Sequence, residues 1–477
     1  MAGADGPFSK RFWIDSIDAR IPALFRLAMG AVLLWDLIDR LGNFHASLSP
    51  AGIYPLSAVN RWSLFTLATS LLWTKALYAA GMLAALCYWI GYRTRAASIA
   101  TFVFLVSLHH RNPIVLNGAD TVLRLMIGWS MFLDQGAQFS VDVWLGRRPR
   151  LERVAGFPVR SLQLQVAIVY LGAAISKFGG HWFDGSAVYL ALQSPTFTRP
   201  TAAWLLGAPG LCMALTYFTL VVELGFPVLV FVPLRYPFNR VIALVAGCLL
   251  HLGIFSVMRV GLFSLVMIAT YPLFLPTEIW TTRATDSGGS APAEVGLARW
   301  PAAVMVLHVV LSLFLFVSAL SGYSFRTGFE RYASQIGLHQ DWSMFFQPPI
   351  YQLRWAALGT RSDGVRVDVM AVAAPALGES YGWWSSAWTG LQSGLANKRG
   401  NLRYIGPFLC RRYAVENSGQ TLVALEIYLT LRQSAQPGGL PSTPETQLAL
   451  TQPCRADAPP LSAAPSSELL LSTEDAP

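Results

Sequence analysis

The chain has 477 residues, of which 54% are hydrophobic and only 13% charged, and its mean hydropathy is +0.45. A soluble domain carries about 25% charged residues, so this chain has too little polar surface to cover a folded body in water, and a bilayer is its natural solvent. The net charge of +9 does not argue for nucleic acid: most arginines stand in short loops between apolar runs, and no basic stripe with interleaved aromatics appears.

The amino terminus carries Lys10, Arg11 and Arg20 but no small-residue exit of a cleavable signal, so the first apolar run is expected to remain as a span. A helical span needs about 20 mostly apolar residues. Runs of that kind lie at 21–38, 76–92, 96–109, 119–134, 161–178, 207–233, 239–256, 259–275 and 301–321, with 62–75 as an apolar segment broken by Lys75. With the N-terminus in the cytoplasm, the inside loops hold Arg93, Arg95, Arg147, Arg148, Arg150, Arg153, Arg160, Arg235, Arg240, Arg283 and Arg299. The outside loops hold Arg40, Arg61 and Arg111. That is the asymmetry of the positive-inside rule, and it puts everything after Ser321 outside. The 285–296 segment reads as a flexible loop.

Past the spans the pattern changes. Tyr351–Ala357, Val365–Val372 after an Asp363-Gly364 turn, and Leu422–Leu431 alternate like strands, while Ser386–Arg399 suits a helix. From 434 onward Pro, Ser, Ala and Gly dominate, as in disordered tails. Of the five cysteines, Cys87, Cys212 and Cys248 lie in apolar runs, and no C-x-x-C pair indicates a metal or redox site. Cys410 and Cys454 can pair if their segment faces an oxidising compartment. The expected fold is an all-α polytopic membrane protein of about nine helices with a small C-terminal α+β extramembrane domain. Its divisions are 1–20 as cytoplasmic N-terminus, 21–325 as membrane domain, 326–433 as extracytoplasmic domain and 434–477 as tail. The expected location is a bacterial inner or cell membrane, with lipids as the immediate partners.

Ionisable groups inside spans are costly and face the bundle interior. These are Arg26 and Asp36 in the first span, Asp120 and Arg124 in the fourth, Lys177 at the end of the fifth, Glu223 in the sixth and His251 in the seventh. Each has a structural reading: Asp120 with Arg124 as an ion pair four residues apart on one helix face, Arg26 paired with an acid such as Asp36 or Glu223 or snorkelling to the interface, His251 as a hydrogen-bonded core residue, and Lys177 snorkelling outward.

Four stretches in order carry a family resemblance. They are LFRLAMGAVLLWDLIDRLGN (24–43), NGADTVLRLMIGWSMFLDQGAQFSVD (117–142), QLQVAIVYLGAAISKFGGHWFDG (163–185) and HLGIFSVMRVGLFSLVMIATYPLF (251–274). Together they resemble the membrane domain of the vitamin K-dependent gamma-carboxylase (HTTM) family. The third is the most specific: a Tyr, small residues, Lys177, then Trp182 and Gly185, similar to the segment holding that family's catalytic lysine. Trp342-Ser343-Met344-Phe345 resembles the start of its luminal β region. The resemblance implies a lysine that deprotonates a reduced naphthoquinone, a vitamin K or menaquinol-like quinol, leading to epoxidation and carboxylation of a glutamate side chain. It implies Lys177 and His251 as catalytic residues and Asn117, Asp120, Arg124 and Trp182 as the cofactor's surroundings, with a protein or peptide substrate at the outer domain. An amine at an apolar boundary suits a general base, because burial disfavours its charged form. The chain departs from the family at Asn117-Gly118-Ala119, where the carboxylase has Asn-Asn-His, and in its short outer region. A non-catalytic protein binding a lipid, quinone or partner is the alternative. A transporter is the third reading, though no inverted repeat accompanies it.

Overall fold

The computed structural model describes residues 7–233, 235–277, 299–320, 328–340, 342, 347–348, 350–370, 399–417 and 419–454. The larger helices are α1 (Arg20–Leu41), α2 (Leu71–Ile90), α3 (Thr94–Arg111), α4 (Gly118–Ser130), α5 (Gly156–Ser176), α6 (Pro209–Phe231), α7 (Phe238–Val257), α8 (Phe263–Thr270), α9 (Arg299–Leu320) and α10 (Leu402–Glu416). Among the described residues five of them, α1, α2, α5, α6 and α7, are long and apolar enough to cross a membrane, and Phe263–Phe274 and Ala302–Phe314 are shorter apolar stretches.

The nine expected runs therefore divide into unlike kinds. The run 96–109 falls on α3, whose last turn is His109-His110-Arg111. The run 119–134 falls on α4, whose 13 residues reach about 20 Å at 1.5 Å per residue, short of a hydrocarbon core of about 30 Å. The side chains of α4 from Val122 to Ser130 are buried, so it is a core helix. α5 is the axis of the bundle: 72% of its apolar window is buried, against 28% for α2 and for α7. The outer helices turn Leu72, Leu83, Val221, Val245 and Leu249 outward, a surface that water would penalise and lipid accepts.

The two ends of the bundle are built differently. At one, β1 (Ile17–Asp18) pairs antiparallel with β2 (Arg153–Val154). Here Arg26, fully buried, donates from Nε to the Trp89 carbonyl at 3.2 Å, from Nη1 to that of Gln135 at 2.8 Å and from Nη2 to that of Phe139. The expected pairing of Arg26 with Asp36 or Glu223 does not form; carbonyls at the end of α2 and in the 135–139 loop need donors more. Gly91 ends α2 at φ +73, and a Cβ there would stand 2.5 Å from Arg26 Nη1, so both conformation and space require glycine.

At the other end Arg111 donates to the carbonyls of Leu48 (3.1 Å), Ser49 (2.6 Å) and Tyr54 (2.7 Å). On this surface sits a sheet of β3 (Tyr351–Arg361), β4 (Arg366–Asp368), β5 (Leu422–Gln433) and β6 (Glu445–Pro453), in the order β4-β3-β5-β6 and antiparallel throughout. The Asp363-Gly364 turn joins β3 to β4 as expected. One core holds Phe408 and Leu409 of α10, Leu425 and Ile427 of β5, and Ile53, Tyr54, Ile114 and Val115 of the bundle's loops. Gln193 fastens the two parts by accepting from the Ala435 amide (2.9 Å) and donating to its carbonyl (2.7 Å). The tail expected from 434 is ordered as far as β6, whose alternating QLALT is anchored to β5 and tied to α10 by a Cys410–Cys454 disulfide. The expected Ser386–Arg399 helix, except for its last residue, the 285–296 loop and Ser343-Met344-Phe345 lie outside the described residues.

Candidate active site

The site is made by the way α5 stops. Its C-cap is Lys177, followed by Gly179 at φ +122 and Gly180 at φ +46, backbone that L side chains rarely adopt. The chain doubles back through the short helix Gly180–Phe183, which brings the Trp182 ring to 5.3 Å from Lys177 Nζ. A cation is favoured there twice over, by the carboxyl end of the helix and by the ring face. Nζ donates to the carbonyl of Ala173 at 3.0 Å and to Oε1 of Glu223 at 3.0 Å, with Oε2 also at 3.0 Å. Lys177 is 4% exposed, so it does not snorkel; a buried carboxylate holds it inside.

Two turns earlier on α5, Tyr170 stacks on Phe226 with ring centroids 4.3 Å apart. Its hydroxyl lies 2.8 Å from His251 Nε2 and 2.5 Å from the Tyr271 hydroxyl. The other imidazole nitrogen, His251 Nδ1, is buried with no hydrogen-bond partner among the described residues. Lys177, Glu223, Tyr170, Trp182 and His251 all line one cavity of about 350 Å³, whose remaining wall is largely apolar, with Leu211, Leu215, Leu249, Ile254, Phe263 and Met267. A few convergent polar groups in an apolar chamber of this size is the usual form of a small-molecule site.

The other expected site residues form a second cluster. Asn117 and Asp120 close a capping box at the start of α4: the Asn117 side chain accepts from the Ala119 amide at 2.9 Å, and Asp120 Oδ2 accepts from the Asn117 amide at 2.7 Å. Asp120 Oδ1 pairs with Arg40 and lies 3.3 Å from His109 Nε2. Arg40 also binds Asp36, from Nε at 2.7 Å. Arg124 donates to the Gly337 carbonyl at 2.6 Å and lies 2.9 Å from His109 Nδ1. The expected Asp120–Arg124 pair is thus not direct: Asp120 takes Arg40 from α1, and His109 stands between it and Arg124. Asn117, Asp120 and Arg124 do not line the chamber; Lys177, Trp182 and His251 do.

Sequence reasoning noted Glu223 without its partner and passed over Tyr170 and Tyr271 as functional groups. Tyr170 was visible as the Tyr that opens the Lys177 pattern. Among the described residues no group of three or more His, Cys, Asp or Glu is placed to hold a metal ion.

A mostly helical protein, with apolar helices of membrane-crossing length and a buried lysine–glutamate pair on the wall of an apolar chamber, is the class that fold and site define. The chain belongs to the HTTM family: the HTTM domain matches residues 15–280, which include every residue of the chamber named above. No curated protein and no solved structure matches the chain.

Proposed function

We propose that this protein is a membrane enzyme that acts on a reduced, naphthoquinone-like quinol, with Lys177 as general base. The observation that carries the reading is the buried Lys177–Glu223 pair at the wall of the apolar chamber. The chamber suits such a ring: its wall is largely apolar, and His251 Nδ1 offers a buried polar atom without a protein partner. The quinol supplies the redox chemistry when bound; the protein supplies the base and the environment.

Lys177 Nζ accepts a proton only as the neutral amine. Glu223 Oε1, at 3.0 Å, is placed to take the ammonium proton and make that amine available. Trp182 covers Nζ, while His251, bonded at Nε2 to the Tyr170 hydroxyl, offers its Nδ1 to a ring oxygen. In this reading the N-terminus is cytoplasmic and the sheet domain extracytoplasmic, supported by the arginine distribution and by the disulfide. Lipids are the standing partners, and a protein or peptide at the sheet domain would be the substrate of any later step.

The test is quinol oxidation by the full chain in lipid nanodiscs. Lys177→Met with Glu223→Gln removes both charges and is expected to lower turnover about 10²–10⁴-fold, the usual contribution of a positioned general base. Quinol binding by the wild type without turnover would replace this reading with that of a non-catalytic quinone-binding protein.

A further inference from the structure

A buried phenol has one proton to give, and an O–H without an acceptor is costly where water does not reach it. Tyr271 is such a group. It is buried, and it stands behind the chamber wall rather than on it. Its hydroxyl packs against α7 at Gly247, where a Cβ would collide with that oxygen. Its hydrogen-bond partner among the described residues is the Tyr170 hydroxyl, at 2.5 Å. The Tyr271 proton therefore goes to the Tyr170 oxygen. Tyr170, also buried, has one further partner among the described residues, His251 Nε2 at 2.8 Å, so its own proton goes there.

This count fixes the imidazole. A ring that accepts at Nε2 is neutral and carries its proton on Nδ1. The reverse order, with Nε2–H given to Tyr170 and the Tyr170 proton given to Tyr271, leaves the Tyr271 proton with no acceptor. An imidazolium, which donates from both nitrogens, meets the same obstacle. Nδ1 is the buried atom with no partner among the described residues, and His251 lines the chamber together with Lys177 and Glu223.

We propose that His251 presents an Nδ1–H donor to the chamber, held in that tautomer by Tyr170 and Tyr271 as positioning residues, and that the chamber takes its ligand through an acceptor oxygen, a quinone carbonyl or a deprotonated phenol. The ligand class rests on the quinol reading; the tautomer does not. The consequence is a division of roles. With Nε2 occupied and a proton already on Nδ1, His251 is no base, and removal of a proton falls to Lys177 with Glu223. A fixed N–H aimed where negative charge collects on oxygen is the form of electrostatic assistance that needs no rearrangement during reaction.

The experiment is nitrogen NMR of the full chain in liposomes, with isotope-labelled histidine and no ligand. The chain has seven histidines, so the His251 signals are assigned as those lost in His251→Gln and altered in a Tyr170→Phe, Tyr271→Phe protein. The wild type is expected to show a protonated Nδ1 and an unprotonated Nε2. Removing both hydroxyls together leaves no orphaned partner and should let the proton spread over the two nitrogens, a change that loss of packing alone would not produce. A methylated naphthoquinone, whose oxygens only accept, should then shift the wild-type Nδ1 signal, whereas naphthalene, with the rings and no oxygen, should not. A wild-type proton on Nε2 or on both nitrogens overturns the proposal, as does a double variant that keeps the proton on Nδ1 alone. A naphthoquinone that leaves Nδ1 unmoved overturns the acceptor-oxygen assignment. An Nδ1 shifted by naphthoquinone in a protein that turns over no quinol supports this inference while removing the catalytic reading.

Discussion

The two buried charge clusters near the sheet-domain end each set basic against acidic side chains beside a histidine, but to opposite ends. Around Asp120, two arginines (Arg40 and Arg124) meet two aspartates (Asp36 and Asp120), with His109 between them, and the capping box and the Gly337 carbonyl absorb further hydrogen-bonding capacity. Around Lys177 the charges also balance, one against one, but the pair stands on the wall of a cavity of about 350 Å³ and a neighbouring histidine nitrogen is left over. Buried charge is thus common to the two clusters, and free volume beside it, with an uncommitted polar atom, distinguishes the one at Lys177.

The sharpest way to break that contrast is to remove one charge from the closed cluster. Asp120→Ala leaves two buried arginines facing one aspartate and should cost about 3–5 kcal/mol, as for a buried pair deprived of one partner. Removing both charges at the chamber, with Lys177→Met and Glu223→Leu, should change stability by less than about 1 kcal/mol, since an apolar replacement of a whole pair is often neutral. Thermal unfolding in detergent followed by tryptophan fluorescence measures both. Equal losses would mean that the chamber pair is as structural as the other.

A second comparison uses a ligand. A naphthoquinone at a hundred times its dissociation constant should stabilise the wild type by about 2.7 kcal/mol. Ala191 lines the chamber, and Ala191→Phe should fill it and erase that gain while leaving the unliganded protein folded. A gain that survives in Ala191→Phe would place the ligand elsewhere.

How much of this the sequence revealed depended on distance along the chain. Lys177, Trp182 and Tyr170 lie within one stretch, so their residue types and spacing could be read together. Glu223 is 46 residues from its partner, and nothing local distinguishes it from other membrane acids. The Asp120–Arg124 spacing was suggestive and misleading, because the capping box turns the Asp120 carboxylate to the helix start, where Arg40 of α1 waits. The strands β3 and β5 were legible from alternation around turns, whereas β6 was hidden by the Pro- and Ser-rich residues around it. The run at 119–134 was read as a span because composition does not distinguish a lipid-facing helix from one buried in protein.

The smallest effect concerns a group outside both clusters and serves as their control. Arg93, at φ +44, has no side-chain cap to give α3. Asp142 does that work from a distance, accepting from the amides of Arg93 (2.8 Å) and Thr94 (2.9 Å) and from the Thr94 hydroxyl (2.9 Å). Burial pushes the Asp142 carboxyl up, but these donors outweigh it and hold the group below its ordinary value of 3.8. A carboxyl lower in the folded than in the unfolded state contributes stability that is complete above the unfolded value. That contribution is lost as pH falls through the folded one. Asp142→Ala should therefore cost about 1 kcal/mol at neutral pH, as for a lost helix cap. Asp142→Asn, whose amide oxygen still accepts but carries no charge, should flatten the stability curve below about pH 4. Unfolding of wild type and both variants from neutral to acid pH checks the sign. If Asp142→Asn loses stability in acid as steeply as the wild type, the acid sensitivity comes from other carboxylates, with Asp36 and Asp120 of the closed cluster the first to test.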